Sequence, residues 1–462
     1  MLDERKTVEK NDEKFGMWGV VMEDWIYVTR TSMPPLKKYV RHLYDLWDNR
    51  HLTNKGEKHE QLEQTLASEL GVAHVALTAN GHLALELALK ALGCTGEVIT
   101  TPFTFASTTQ AIINSGCTPI FCDIDPSSLT IDASKIEALI TPNTSAILAV
   151  HVFGRACDVE QIDAIAKKHH LRVIYDGAHA YKLKVNGAPI CQFGDCTMFS
   201  FHATKLFHAV EGGALATNDA NLAKQFETLR NFGIVDEETN VEGRTNAKMS
   251  EFHAAMGLCN VPYVDEWISQ RKQLYDRYVE QLNGVDGITI PYLQDGVTPN
   301  YSYFPILLEM DRDGLIDHLK EHRIMARKYF YPLTSCIIRA GEGNAEKISE
   351  PDLQREISRE DKSFAEESVS HIELVDKTLA EKSFTRVLAE HKLQNNFDHS
   401  NKHFAEKSVT PVASLVAERV LCLPLYADLT TQQVDKICTC IQQYVQITAT
   451  LKLGEVATDV VL

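Results

Sequence analysis

The chain has 462 residues, of which 44% are hydrophobic and 24% are charged, and these values are typical of a soluble globular protein with two or three domains. Acidic side chains outnumber basic ones by 63 to 46, which gives a formal net charge of −17. Because no basic patch is segregated from this negative charge, we expect no nucleic-acid partner. No apolar run approaches the ~18 residues that a membrane span needs, so we expect no membrane partner either.

The 11 cysteines are scattered among apolar segments and include no CxxC pair. We therefore predict free, buried thiols, no metal site and a reducing compartment. Residues 1–25 are polar, carry charges of both signs and lack the apolar stretch of a signal peptide. Together these features predict a cytoplasmic protein with a polar N-terminal extension.

Two helices are predicted first, over 36–47 and 57–70, because apolar residues recur there at helical spacing, and Gly71 ends the second helix. Short apolar strands then alternate with amphipathic helices. The predicted strands are 74–77, 97–101, 118–123, 146–152, 172–176 and 197–201, and the helices between them are 82–92, 105–114 and 159–169. This alternation indicates an α/β fold with a largely parallel sheet between helices. Ligands of such sheets bind beyond the carboxyl ends of the strands.

A different pattern follows a predicted helix over 262–282. A strand and two helices, at 303–309, 315–322 and 434–444, indicate a separate, smaller α+β domain. We therefore divide the chain into a large domain, 26–275, and a small C-terminal domain, 276–462.

The small domain is interrupted at about 341–408 by a segment rich in Glu, Lys and Ser. It carries a degenerate repeat, seen as DKSFAE, DKTLAE and NKHFAE. We interpret the segment as an insertion of charged helices or a mobile excursion, and a role in docking a partner is the alternative.

Polar residues follow two neighbouring predicted strands. One strand ends in Asp176, with His179 three residues later, and the other delivers Ser200 and then Lys205. Taken alone, such an aspartate is usually a turn former, and a lone loop lysine is usually a solvated surface charge. Here, however, Lys205 follows an apolar strand and has aromatic neighbours, a setting that desolvates an amine and suits it to Schiff-base chemistry.

A lysine that forms a Schiff base, with a carboxylate at a neighbouring strand end, is what pyridoxal phosphate (PLP) requires. The carboxylate keeps the pyridine nitrogen protonated. A phosphate site is also present in the pattern, because residues 79–82 lie between a predicted strand and a predicted helix, where backbone N–H groups bind anions. We therefore predict PLP as the cofactor.

These segments also identify a family. The sequence resembles the DegT/DnrJ/EryC1/StrS sugar aminotransferases, which are PLP enzymes of fold type I, similar to aspartate aminotransferase, and act on nucleotide-linked keto-sugars. The motifs that carry the resemblance include LTANGHLALELAL at 77–89, GEVITTPFTFAST at 96–108, YDGAHAY at 175–181, SFHATK at 200–205 and EGGA at 211–214.

The resemblance implies a role for each residue around the cofactor ring. Lys205 would carry PLP covalently and shuttle the proton. Asp176 would pair with the pyridine nitrogen, His179 would lie beside the ring towards its 3-hydroxyl, and Phe105 would stack on its face.

The resemblance also implies how the phosphate is held. Ser200, Gly81 and His82 would bind it, although His82 stands where the family usually has Thr or Ser. Asn246 matches an asparagine that reaches the phosphate of the neighbouring subunit. The implied assembly is an obligate homodimer with shared active sites.

The implied reaction is transfer of the amino group of L-glutamate to C4 of dTDP-4-dehydro-6-deoxyglucose. Its product, dTDP-4-amino-4,6-dideoxyglucose, would serve the synthesis of surface glycans such as O-antigen. A C3 aminotransferase acting on a 3-keto-sugar nucleotide is the first alternative. A catalytically idle PLP-binding scaffold that uses the 341–408 insertion as an interaction surface is the second.

Overall fold

A computed structural model describes residues 25–241, 245–336 and 409–459. The predicted insertion at 341–408 lies outside the described residues, as do residues 1–24 of the predicted extension at 1–25.

Twelve α-helices lie within the described ranges, and none of them is both long and apolar enough to cross a membrane. They are α1 Leu36–Asn49, α2 Glu57–Leu70, α3 Gly81–Ala91, α4 Ala106–Asn114, α5 Ala133–Ile136, α6 Val159–His169, α7 Ala220–Arg230, α8 Glu251–Asn260, α9 Val264–Leu282, α10 Arg312–Glu321, α11 Pro411–Arg419 and α12 Thr431–Asp459.

The strands of the same ranges form one large sheet and two small ones. They are β1 His74–Thr78, β2 Glu97–Thr100, β3 Thr118–Phe121, β4 Thr144–Val150, β5 Arg172–Asp176, β6 Lys184–Val185, β7 Ala188–Pro189, β8 Cys196–Ser200, β9 Gly213–Thr217, β10 Ile288–Thr289, β11 Val297–Thr298, β12 Phe304–Leu308 and β13 Val420–Leu423.

The large sheet has seven strands in the order β1-β9-β8-β5-β4-β2-β3. Strands β8, β5, β4, β2 and β3 pair in parallel, whereas β9 is antiparallel to both of its neighbours. Because β1 and β8 are both antiparallel to β9, they run in the same direction. The carboxyl ends of β1, β2, β4, β5 and β8 therefore meet at one edge of the sheet.

Both faces of this sheet are covered, which explains the near-continuous apolar runs of its strands. Side chains alternate between the two faces along a strand. In β4, Ile147 and Ala149 join the core that includes α2 and α6, while Ala146 and Leu148 join the core that includes α3, α4 and α7.

The part of the chain predicted as the small domain is built on the antiparallel sheet β10-β12-β13. Its core combines apolar residues of these strands with those of α9, α10 and α12. A buried carboxylate links it to the large domain, because Asp123 accepts hydrogen bonds from the backbone N–H groups of Val412 (3.1 Å) and Ala413 (2.8 Å). These groups lie at the start of α11, where a negative charge is favourable.

Each strand and helix predicted from the sequence is confirmed, with ends that differ by a few residues, except that the helix predicted over 434–444 extends to Asp459. Gly71 ends α2 with a φ of +61° and donates its N–H to the last turn. The sequence analysis missed four helices, α5, α7, α8 and α11, and six strands, β6, β7, β9, β10, β11 and β13. Strand β9 was missed because a glycine pair is typical of a turn, whereas Gly213 begins a strand whose direction is set by pairing with β1 and β8.

A second buried carboxylate fixes α2 against α8. Glu251, the first residue of α8, accepts hydrogen bonds from the backbone N–H groups of Gly56 (3.1 Å), Lys58 (2.8 Å) and His59 (3.2 Å). These donors would otherwise be unsatisfied at the start of α2. A Cβ on residue 56 would lie 2.7 Å from the carboxyl carbon of Glu251, so the contact depends on glycine at that position.

We expect Glu251→Gln to lower the free energy of unfolding by about 2 kcal/mol, since an amide offers one acceptor oxygen instead of two and turns its NH₂ group towards a backbone donor. Chemical denaturation of the full chain measures this loss. Glu60→Gln is the matched control, because Glu60 is exposed on α2, the helix whose first turn Glu251 contacts. Equal stabilities of the two variants would contradict the assigned role of Glu251.

Candidate active site

The common edge of the strands brings the predicted residues of three segments together. Asp176 ends β5 and Ser200 ends β8, while Gly81 begins α3 directly after β1. Gly81 and Ser200 are in close contact, because a Cβ on Gly81 would lie 3.0 Å from the Cβ of Ser200. The site therefore follows from the direction of the strands, as expected for a parallel sheet.

Lys205, His179 and Ser200 line one small cavity. The small-domain side of this cavity is formed by Ser302 and Tyr303, which directly precede β12. Three of the predicted site residues thus share a cavity that is closed by residues the sequence did not single out.

The amine of Lys205 makes no hydrogen bond or ion pair within the described residues. Burial lowers its pKa to about 8, and the nearby carboxylate of Asp176 limits this fall. An ordinary lysine has a pKa near 10.4. A much larger fraction of the Lys205 amine is therefore uncharged at neutral pH, which is the form that attacks a carbonyl carbon.

Asp176 is only 5% exposed. Its Oδ1 accepts a hydrogen bond from the backbone N–H of Ala178 (3.0 Å), and its Oδ2 accepts one from the hydroxyl of Thr108 (2.8 Å). Burial raises the pKa of the Asp176 carboxyl, whereas these two hydrogen bonds and the charge of Lys205 oppose the rise. The carboxylate and the amine therefore stabilise each other's charged form in a poorly solvated place.

His179 is held by one hydrogen bond and three aromatic rings. Its Nδ1 accepts the backbone N–H of Phe153 (3.1 Å), so in the neutral ring the proton lies on Nε2. Tyr303 packs with its ring centre 4.6 Å from that of His179, and Phe330 stacks at 6.0 Å. Burial, with a smaller contribution from Lys205, holds the pKa of His179 well below its usual value, so the ring is neutral.

The start of α3 offers two backbone donors. Asn80 caps the helix by accepting the N–H of Leu83 (2.9 Å), whereas the N–H groups of Gly81 and His82 have no partner within the described residues. The His82 side chain turns elsewhere: its Nδ1 lies 2.9 Å from Ser107 Oγ, and its Nε2 lies 3.1 Å from Glu86 Oε1. His82 is thus placed to bind an anion through its backbone.

Phe105 lies at the rim of a groove beside this cavity. It directly precedes α4, its side chain is 62% exposed, and its ring centre is 6.4 Å from that of Phe330. Residues 104–106 form one wall of the groove, and small-domain residues from Arg327 to Cys336 form the other. Phe330 packs on both Phe105 and His179, so it connects the groove to the Lys205 cavity.

Asn246 lies apart from the other predicted residues and does not line the Lys205 cavity. Its side chain is exposed and accepts a hydrogen bond from Lys248 Nζ (2.8 Å). The next residue, Ala247, accepts the backbone N–H of Ala79 (2.7 Å), which places this segment against the loop before α3. An exposed amide at this position is available to a second subunit.

Sequence reasoning missed Thr108, Tyr303 and Arg327. Thr108 could have been found, because it lies one helical turn after Thr104 in a segment already singled out for Phe105. The other two come from the small domain, and no local spacing relates them to residues more than a hundred positions earlier.

The donor set suits PLP. An unpaired amine, a buried carboxylate beside it, and the Ser200 hydroxyl next to two free backbone N–H groups match the aldehyde, the ring nitrogen and the phosphate of that cofactor. The missing Cβ of Gly81 leaves the approach to Ser200 open.

Comparison with known proteins agrees with this geometry. Residues 37–350 match the DegT/DnrJ/EryC1/StrS aminotransferase family. A dTDP-4-amino-4,6-dideoxy-D-glucose transaminase of Shigella dysenteriae is 42% identical over 317 residues, which are 68% of this chain and 86% of that protein. A protein of the same name from Escherichia coli is 37% identical over 419 residues, which are 89% of this chain and 96% of that protein.

A solved structure extends the similarity to the fold. The crystal structure of DesI in the presence of its TDP-sugar product has a TM-score of 0.75 and 28% sequence identity, and the alignment covers 94% of this chain and 96% of DesI. An aminotransferase from Streptoalloteichus hindustanus, TlmJ, has a TM-score of 0.72 at 20% identity and supports the fold alone. The predicted fold class is confirmed, and the chain belongs to the DegT/DnrJ/EryC1/StrS aminotransferase family.

Proposed function

We propose that this protein is a PLP-dependent aminotransferase that moves the amino group of L-glutamate to C4 of dTDP-4-dehydro-6-deoxyglucose. The product is dTDP-4-amino-4,6-dideoxyglucose. The observation that carries the proposal is the unpaired amine of Lys205 beside the buried carboxylate of Asp176. The choice of substrate is supported by the names of the two relatives, whose lengths are covered to 86% and 96%.

PLP supplies an aldehyde and an electron-accepting ring, which transfer of an amino group requires. Lys205 Nζ would hold the cofactor, and Asp176 would bind its ring nitrogen. Ser200 and the backbone N–H groups at the start of α3 would hold the phosphate, where the helix dipole favours a negative charge. Phe105 and His179 would flank the ring.

Lys205 is also suited to carry the proton. Because burial lowers the pKa of its amine to about 8, the group can both accept and release a proton near neutral pH. Asp176 limits the fall of this pKa, so the amine keeps enough basicity to take a proton from the substrate carbon.

The groove beside Phe105 is the place where we locate the nucleotide part of the substrate. A protein with a net charge of −17 repels an anionic nucleotide unless a cation is presented locally. Arg327 lines the groove, is exposed and forms no ion pair within the described residues. Its guanidinium suits a diphosphate, and the exposed ring of Tyr331 offers a surface for a base.

We also propose a homodimer with shared active sites. Helix α1 exposes large apolar side chains, of which Leu36 and Trp47 are 74% and 67% exposed. The segment that leads to Asn246 exposes Phe232 and Val235 as well. Exposed apolar surface of this kind is typical of an interface, and a partner on it would bring Asn246 to the second phosphate site.

We also propose that the protein is located in the cytoplasm. All 11 cysteines are free, and all but Cys336 are buried. Free thiols in this number suit a reducing environment.

The first prediction from the proposed function concerns the visible absorbance of the purified protein with PLP. We expect glutamate to bleach the absorbance of the bound cofactor and the 4-keto-sugar nucleotide to restore it. Lys205→Ala should abolish both changes. Lys224→Ala is the matched control, because this exposed lysine on α7 lies outside the site.

Each alternative has its own outcome. Bleaching by glutamate that only a 3-keto-sugar nucleotide reverses would move the assignment to C3. A protein that binds PLP but never responds to an amino donor would point to the idle scaffold.

The second prediction concerns the acidity of Lys205 in the cofactor-free protein. Competitive acylation, followed by mass spectrometry from about pH 6 to 11, measures the fraction of free amine. We expect a midpoint at about 8. In Asp176→Asn the midpoint should fall further, because the carboxylate charge raises the pKa of Lys205. A midpoint near that of an ordinary lysine would refute the burial of the amine.

The third prediction tests the groove. Arg327→Gln should raise the KM for the sugar nucleotide about tenfold by removing a charged hydrogen-bond donor, and it should leave the reaction with glutamate unchanged. Arg323→Gln is the control, since Arg323 is an exposed residue of the same segment that does not line the groove. An unchanged KM in Arg327→Gln would remove the diphosphate from this groove.

A further inference from the structure

Asp176 depends on α4 for one of its two hydrogen bonds. Its carboxylate is buried, and Thr108, in the first turn of α4, donates its hydroxyl to Oδ2 at 2.8 Å. The other bond comes from the backbone of Ala178, which no substitution of a side chain removes. The Thr108 hydroxyl is thus the contact through which a side chain of the neighbouring helix acts on this carboxylate.

A second threonine completes the arrangement. The hydroxyl of Thr104 lies 2.8 Å from that of Thr108, and both residues are buried. An ionised carboxylate only accepts hydrogen bonds, so Thr108 donates its single hydroxyl proton to the hydrogen bond with Asp176. Thr104 must then be the donor to Thr108. The hydrogen bonds run in one direction, from Thr104 to Thr108 to Asp176.

This direction has an electrostatic consequence. Each hydroxyl dipole points its positive end towards the carboxylate, and aligned hydrogen bonds of this kind strengthen one another. Burial favours the neutral acid, whereas a hydrogen bond donated to the charged form favours the carboxylate. The bond from Thr108 is among the contributions that hold down the pKa of Asp176 against its burial.

We propose that Thr108, supported by Thr104, is a positioning residue that keeps Asp176 ionised and aimed at the cofactor site. The inference rests on the proposed binding of PLP, whose ring nitrogen needs a charged carboxylate. A neutral Asp176 would bind the ring nitrogen less tightly, so the threonine pair acts on cofactor affinity through the carboxylate.

The charged and titratable groups around Asp176 limit what a pH titration reports. Lys205 faces it from the loop after β8, and the charge of Asp176 also acts on the thiol of Cys157, which precedes α6. Burial raises the pKa of Cys157 and lowers that of nearby His179, so both stay uncharged through the neutral range. Lys205 titrates in the wild type and in a Thr108 variant alike. The ratio of the PLP dissociation constants of the two proteins therefore isolates the contribution of Asp176.

The experiment measures the PLP dissociation constant by fluorescence quenching between about pH 5.5 and 9 for wild type, Thr108→Val and Thr108→Ser. Valine keeps the shape and removes the hydroxyl, while serine restores it. Thr109→Val is the matched control, because Thr109 is also buried on α4 but bonds to Thr334. Denaturation of each variant checks that folding is preserved.

We expect Thr108→Val to bind PLP about tenfold more weakly than wild type at the acidic end, the scale of one hydrogen bond to a charged group. The difference in PLP affinity between Thr108→Val and wild type should narrow as the pH rises, because Asp176 then ionises without the Thr108 hydrogen bond. Thr108→Ser and Thr109→Val should follow wild type.

Two results would overturn the inference while leaving the proposed function intact: equal PLP affinities of wild type and Thr108→Val at every pH, or a loss that does not vary with pH and that serine does not rescue. Failure of the wild-type protein to bind PLP would instead overturn the proposed function, and this inference with it.

Discussion

A carboxylate and an amine share a poorly solvated place at the carboxyl edge of the large sheet, and the rest of the site is arranged around them. Burial favours the neutral forms of both Asp176 and Lys205, because each group loses its hydration. Each charge is retained through the other and through hydrogen bonds to the carboxylate. The parallel strands make this possible, since β5 and β8 end side by side and deliver the two residues from the same edge.

The surrounding structure buries the site of Asp176 and Lys205 and holds its residues in position. Strand β9 returns antiparallel beside β8, so the loop that carries Lys205 is anchored at both ends. The small domain adds Tyr303 against His179, and Phe330 packs on the same ring. One core of the large sheet includes residues of all seven strands and the other includes residues of every strand but β3, which holds the strand ends in place. Asp176 therefore lies at the end of a strand and Lys205 in a loop between two paired strands, while the proposed nucleotide groove lies between residues 104–106 and residues 327–336.

Much of the fold and of the candidate site could be predicted from the sequence. The alternation of strands and helices predicted the sheet, and the order Asp176, His179, Ser200, Lys205 predicted which strand ends meet, because parallel strands place their carboxyl ends together. The orientation of the His82 side chain was not predicted from the sequence. Whether this side chain faces an anion or Ser107 depends on how α3 packs against α4. The same holds for β9, whose direction is set by strand pairing rather than by its own residues.

The sequence by itself determined the fold class and the family and predicted the residues that would hold a cofactor, because periodicity and motif order are local properties of the chain. Only the tertiary structure decided that Thr108 donates to Asp176, that Tyr303 closes the Lys205 cavity and that Arg327 faces the groove. Such contacts join residues 68 or more positions apart. Their existence depends on the angle at which helices and domains pack, and that angle is set by the whole core rather than by any one segment.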